Sequence, residues 1–401
     1  MNITVIGGGN IGTQFAVHSS DKGHSVKMFT SNPSRFSKHL FIVDKSDNVI
    51  KEGKIVLATS DPHEALHDAE MIMITMPPTM MIPLAQIVYE YADPHAVIGF
   101  VPGNGGFEFA FRDCIERGNV LFGIDRVPAI ARLKERGRTV CCSGYKDRLY
   151  VAALPSSHTE ECAALIESIY DIPCVRLPGF MALTLTPSNP ILHTARLMTI
   201  FSDYEPGVTY ESLPLFYEEW DDASSELLLA CDDEIQDICR ALPWFGLEYV
   251  VSEREFYNAD TVEEMTYAIR TATPSVCSDA LDIKGRGLSG LRKRRKQRWQ
   301  RIEQHIKRRS DWREILEERR NRRREENTEG LIPDLHSRYF TADFPYGLSV
   351  IQQIGKIAGV AMPNIDKLIE WYDNIAIIND KLRLSDYGIT DVESLKEFYL
   401  T

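Results

Sequence analysis

Short apolar runs recur through the first half of the chain, at residues 3–6, 25–30, 71–76 and 96–101, and helical apolar spacing fills the intervals. Strand–helix alternation of this kind predicts right-handed crossovers and a mostly parallel sheet covered by helices on both faces. Further short strands are predicted at 119–123, 148–154 and 174–177, with a helix at 159–170. The rhythm changes near Pro178-Gly179. Beyond it, amphipathic stretches at 224–242, 261–270, 347–358 and 364–378 predict a mostly helical second half.

The first strand runs directly into Gly7-Gly8-Gly9-Asn10-Ile11-Gly12, and a helical pattern follows over 14–20. A G-x-G-x-x-G between a strand and a helix is the signature of a dinucleotide site. Gly7 permits the tight turn, Gly9 lets the backbone approach a pyrophosphate, and Gly12 allows close helix packing. Asn10 and Ile11 open the helix whose N-terminal N–H groups meet the anion. At the end of the second strand an NAD site normally places an acid on the ribose hydroxyls, but Thr30 and Ser31 stand there. Ser31 with Arg35 suits a 2′-phosphate, so NADP is the preferred cofactor and NAD the alternative. Pro77 and Gly103 lie in two further strand-exit loops, expected to flank the nicotinamide.

The fold class expected is therefore α/β, with an N-terminal Rossmann dinucleotide-binding domain over 1–180 and a mostly α-helical domain over 181–401. A length of 401 residues suits two domains. A hydrophobic fraction of 44% and a charged fraction of 26% exclude a disordered or collagen-like chain. No apolar run approaches the roughly 18–20 residues of a membrane span, and residues 1–6 carry no basic leader, so a cytoplasmic location is expected. Eight cysteines without a CxxC pair suit reduced thiols, and no metal site is expected. The net charge of −13 conceals an asymmetry: residues 284–324 carry 18 Lys and Arg against 5 Asp and Glu, which leaves −26 on the remainder.

In the second half, Asn189-Pro190-Ile191-Leu192-His193 brings a histidine near the start of a helix, and Arg338-Tyr339-Phe340-Thr341-Ala342-Asp343-Phe344-Pro345-Tyr346-Gly347-Leu348 reads as a loop offering one Arg and one Asp before another helix. By position alone Asp343 reads as a helix N-cap. Together with the glycine motif, the Pro102-Gly103-Asn104-Gly105-Gly106 loop and the 354–366 tail, these segments resemble the octopine/nopaline (opine) dehydrogenase family over most of the chain. The resemblance implies a Rossmann domain followed by a helical opine dehydrogenase domain of the 6-phosphogluconate dehydrogenase-like type, with the active site in the cleft between them. It also implies NAD(P)H-dependent condensation of an amino acid or other amine with an α-keto acid such as pyruvate, reversible as an oxidation.

That resemblance makes His193 and Asp343 the catalytic pair. The histidine takes the ammonium proton, and the carboxylate fixes its tautomer and stabilises its cation. Arg338 and Asn189 are expected at the substrates, with Arg132 from the segment 125–132, where the family often reads P-W-A-C-R and this chain lacks both the Trp and the Cys. Acidic and aromatic residues at 210–222, Tyr217 among them, read mainly as a solvated helix start, with the lining of an amino-acid pocket as the alternative.

The basic stretch 284–324 departs from the family pattern and reads as an insertion, with three- and four-residue apolar steps over 291–324 suggesting amphipathic helices with basic faces. A solvated arm against the acidic body is favoured over a nucleic-acid, acidic-protein or oligomer contact. The expected partners are a small amino acid and an α-keto acid, with a homodimer allowed and no membrane. Two rival readings remain: a keto-acid/hydroxy-acid dehydrogenase, and a nucleotide-sensing binding protein that contacts nucleic acid or a partner through the insertion.

Overall fold

A computed structural model describes residues 1–186, 189–272, 331–376 and 381–400; the basic insertion lies outside the described residues. Eleven strands form one sheet in the order β11-β10-β7-β6-β5-β1-β2-β4-β3-β9-β8. They are β1 Asn2–Ile6, β2 Ser25–Phe29, β3 His39–Val43, β4 Val49–Thr59, β5 Met71–Ile74, β6 Val97–Phe100, β7 Leu121–Ile124, β8 Ile130–Glu135, β9 Thr139–Ser143, β10 Leu149–Leu154 and β11 Cys174–Arg176. The six central strands β4, β2, β1, β5, β6 and β7 are parallel. Of these, β1, β5, β6 and β7 are buried from both sides and read as nearly continuous apolar runs, and all four residues of β5 are buried.

The chain leaves β1 towards β2 and β4 on one side and later returns to β5 on the other. Strand order thus reverses between β1 and β5, and ligands of open parallel sheets bind in the crevice at such a switch.

The predicted strands appear within a few residues of expectation, and four strands join them that the periodicity did not predict. β3 pairs antiparallel with β4 in a hairpin whose turn holds Asp47 at φ 64°, and the β8–β9 hairpin extends the same edge by pairing β9 parallel to β3. β4 alternates exposed and buried positions along much of its length, so its strand character lies in pairing rather than in an apolar run.

From Met181 onward every described element is helical, apart from a bridge between Tyr210 and Leu331. The helices Asn189–Ile200, Asp222–Ala241, Val262–Ala272, Ser349–Ile357, Pro363–Ile375 and Val392–Tyr399 share one apolar core with the helices on one face of the sheet. Among the described residues no helix is long and apolar enough to cross a membrane, and no cluster of His, Cys, Asp or Glu could hold a metal ion.

Tyr339–Leu348, expected as a loop, is instead a wide π-helical stretch that runs into the Ser349–Ile357 helix. Pro345 lies inside it and has no N–H to donate to a regular α-helical ladder, which suits a widened turn. Asp343 accordingly sits within a helical turn and caps nothing.

Candidate active site

The glycine loop has the shape a dinucleotide needs. Gly7 adopts φ 110°, and a Cβ there would meet Thr75 Oγ1 at 2.7 Å. At Gly12 a Cβ would lie 1.7 Å from the Gly7 carbonyl oxygen, so only glycine lets the Asn10–Asp21 helix approach β1 this closely. Gly9 is different: a Cβ there would meet nothing within 4 Å. This open position is the N-cap of the 12-residue helix, and no side chain caps it, so the first N–H groups are available to an anion. NAD(P) fits this cradle, and when bound it supplies the hydride.

The remaining cofactor candidates are spread around this loop. Asn10 faces the outer hairpin, its Oδ1 accepting from the Leu133 amide at 2.9 Å. Ile11 packs into the core on that side. Ser31 and Arg35 are exposed just past β2, and Ser31 Oγ accepts from Asn32 Nδ2 at 3.1 Å. Pro77 is exposed after β5. Gly103 is buried, its amide donating to the Ile124 carbonyl at 2.8 Å, and a Cβ there would meet Gly123 Cα at 2.7 Å; its smallness serves strand packing. Arg132 belongs to the glycine-loop side, exposed on β8 next to the Leu133 that binds Asn10.

The second constellation is built by two helical segments in close contact. Asn189–Ile200 packs on Tyr339–Leu348, and Gly347 makes the approach possible, since a Cβ there would meet Pro190 Cγ at 2.6 Å. This brings His193 and Asp343, 150 residues apart, into a hydrogen bond of 2.8 Å from Nδ1 to Oδ2. His193 is 2% exposed and the Asp343 side chain 17%, so the carboxylate lies on the more open side of the pair. The Pro78–Met80 turn after β5 packs on the same π-helical stretch, which links this pair to the crevice at the switch point.

Hydrogen bonding assigns the tautomer. An ionised carboxylate only accepts, so Nδ1 carries the proton and Nε2 keeps its lone pair. That lone pair meets the Tyr217 hydroxyl at 2.9 Å. Burial holds the His193 pKa below its ordinary value; Asp343 opposes the shift, and the Arg338 charge adds to it. Burial likewise raises Tyr217 well above the usual phenol range, so its hydroxyl is the donor. Arg338 is exposed at the start of the π-helical stretch, 5.4 Å from the Tyr339 ring centroid, and that ring meets His193 edge-on at 4.4 Å. Asn189 is exposed at the first residue of the His193 helix.

Two residues were not assigned to the His193–Asp343 pair from the sequence. Arg196, one turn beyond His193, is fully buried and donates to the backbone carbonyls of Leu215, Phe216 and Glu219 and to Asp221 and Ser224. It thereby holds the segment 215–221 in place and with it Tyr217, the second residue. The available signal was a lone arginine in a helical stretch without other Lys, Arg, Asp or Glu.

A buried acid lies on the neighbouring side. Glu253 is 1% exposed, and its Oε1 finds no hydrogen-bond partner among the described residues. Burial pushes its pKa up from 4.5 to about 7; nearby Arg126, whose guanidinium lies 3.8 Å from the Phe256 ring centroid, opposes this, and Asp232 adds to it. A carboxyl raised on folding favours the folded state most fully below its unfolded pKa and loses that contribution as pH climbs through the folded value. Glu253→Gln is therefore expected to match the parent near pH 4.5 and exceed its stability at pH 8 by about 2–4 kcal/mol, measured by urea unfolding at both pH values. An unchanged gap would contradict a buried, titrating Glu253.

Residues 176–376 match the family described as NAD/NADP octopine/nopaline dehydrogenase, alpha-helical domain, and residues 2–103 match the N-terminal domain of NAD-dependent glycerol-3-phosphate dehydrogenase. Octopine dehydrogenase of Pecten maximus is 25% identical over 398 residues, covering 92% of this chain and 89% of the relative. A solved octopine dehydrogenase structure with NADH and L-arginine superposes at a TM-score of 0.74 with 20% identity, covering 98% of this chain and 97% of that one. A second, with NADH and pyruvate, gives a TM-score of 0.73 at 21% identity, with the same coverage.

Fold and cradle define an NAD(P)-dependent oxidoreductase with a sheet-borne cofactor site and a helical partner body. The chain belongs to the octopine/nopaline dehydrogenase family, whose enzymes act on CH–NH groups.

Proposed function

We propose that this chain reductively joins an amine to an α-keto acid with NAD(P)H, with His193 and Asp343 as its acid–base pair. The observation that carries the reading is the buried Asp343–His193 hydrogen bond, with Nε2 left as the basic atom, next to a loop of the dinucleotide crevice. An amino group is an ammonium at neutral pH and cannot attack a carbonyl until a base removes a proton. Arg338, exposed beside the pair, suits a substrate carboxylate, and Asn189 stands at the head of the same helix. The solved relatives hold NADH with L-arginine or with pyruvate, which supports an amine and a keto acid as the two substrates here. Residues 1–180 serve the cofactor and 181–401 the substrates.

The test is NADPH and NADH oxidation with pyruvate and a panel of amino acids. Oxidation that requires both substrates supports the reading, and oxidation with pyruvate alone would replace it with hydroxy-acid dehydrogenation. NADPH is the preferred cofactor, because Ser31 and Arg35 lie past β2 where an acid would select NAD. Arg35→Ala is expected to raise the KM for NADPH by about 10- to 100-fold, the worth of a charge-assisted contact, with little change for NADH. Equal effects on both cofactors would rule out a 2′-phosphate contact.

A further inference from the structure

We infer that Tyr217 relays protons between His193 and the amine substrate, an inference that rests on the condensation reading above. His193 has one ring nitrogen committed to Asp343, and the Tyr217 hydroxyl covers the other at 2.9 Å. The imidazole is buried, and Tyr217, a residue of intermediate exposure, lies over its Nε2. With the tyrosine in place an ammonium cannot reach Nε2 directly. The hydroxyl can accept a proton on its free lone pairs while it donates its own.

The step balances without a further reactant. One ammonium N–H bond breaks and its proton joins Tyr217 Oη, while the proton already on Oη passes to His193 Nε2. The tyrosine ends unchanged, His193 becomes a cation against Asp343, and the neutral amine attacks the keto carbonyl. When the resulting carbinolamine loses water, the Nε2 proton returns through Oη to the departing hydroxyl, and His193 is neutral again.

The surroundings hold the hydroxyl to this task. Arg196 fixes the backbone on both sides of Tyr217, and the Tyr217 ring stacks on Trp220 at 6.4 Å between centroids with an interplanar angle of 15°. The charged and titratable groups that face the His193–Tyr217 pair are Asp343, Arg338 and Tyr339 from the π-helical segment and Tyr257 from the Glu253–Tyr257 helix. A hydroxyl that donates to Nε2 stabilises the neutral imidazole, so its removal raises the basicity of His193.

The test is Tyr217→Phe in the full chain, with two readouts. An NMR titration of His193 is expected to move upward by about half to one pH unit, whether or not the enzyme turns over. In steady state, kcat with amine and keto acid is expected to fall by about 10²-fold, and the acid limb of the pH profile to move up with the titration. The KM for NAD(P)H should stay within about twofold, which shows that the variant is folded. A titration that stays in place, or a kcat within about twofold of the parent, overturns the relay while leaving the condensation reading intact. No turnover by the parent with any amine and keto-acid pair overturns both.

Discussion

His193→Ala is expected to lower kcat for amine-dependent NAD(P)H oxidation by about 10²–10⁴-fold with cofactor affinity unchanged, since general acid–base catalysis contributes on that scale. Asp343→Asn keeps the shape of its partner but removes the charge that stabilises the imidazolium formed when the ammonium gives up its proton. A loss of about 10²-fold is expected, and the double variant should be little worse than His193→Ala, because the two act as one unit. The pH dependence has a definite sign. Burial, reinforced by Arg338 and opposed by Asp343, holds the His193 pKa below 6.5, so the free base persists under mildly acidic conditions. The acid limb of kcat/KM is therefore expected below pH 6.5, with activity lost as pH falls through it. Full activity in His193→Ala, or an acid limb above pH 6.5, would remove His193 from the role of base.

The largest structural loss is expected at Arg196. Its guanidinium is fully buried and donates to three backbone carbonyls as well as to Asp221 and Ser224. The Asp221 side chain is 49% exposed, so the ion pair itself is screened, and most of the effect lies in the Phe216 and Glu219 carbonyls, which lose their side-chain donor; the Leu215 carbonyl keeps the Glu219 amide. Arg196→Met is expected to destabilise the fold by about 3–5 kcal/mol in urea unfolding. Arg196→Lys supplies a point charge without the fork, so an intermediate loss is expected, with kcat reduced as the segment 215–221 loosens around Tyr217. A loss below about 1 kcal/mol in Arg196→Met would show that the segment is held by its aromatic packing.

The parts of this molecule that were legible in the sequence are those whose constraints are local. The glycine motif is one case: Gly7 and Gly12 are required by the turn and by helix packing, and Gly9 stands open at the helix N-cap, all within six residues. Central strands such as β5 were legible because burial on both faces writes itself as an apolar run. β4 and the β8–β9 hairpin were not, because their strand character comes from partners elsewhere in the chain and leaves many of their side chains exposed. The segment 339–348 shows the same limit. Its composition is compatible with a loop, and packing against the Asn189–Ile200 helix decides that it is a widened helix instead.

The sequence by itself determined the α/β order and the glycine loop, because spacing and motif are properties of neighbours along the chain, whereas the pairing of His193 with Asp343 was an expectation that came only from the family resemblance. Only the tertiary structure decided which nitrogen of His193 is basic, that Tyr217 covers it, and that Arg196 secures that tyrosine. Each of these depends on a hydrogen bond between residues that are separated in sequence, and such a bond exists only once packing has excluded water and fixed the direction of both partners.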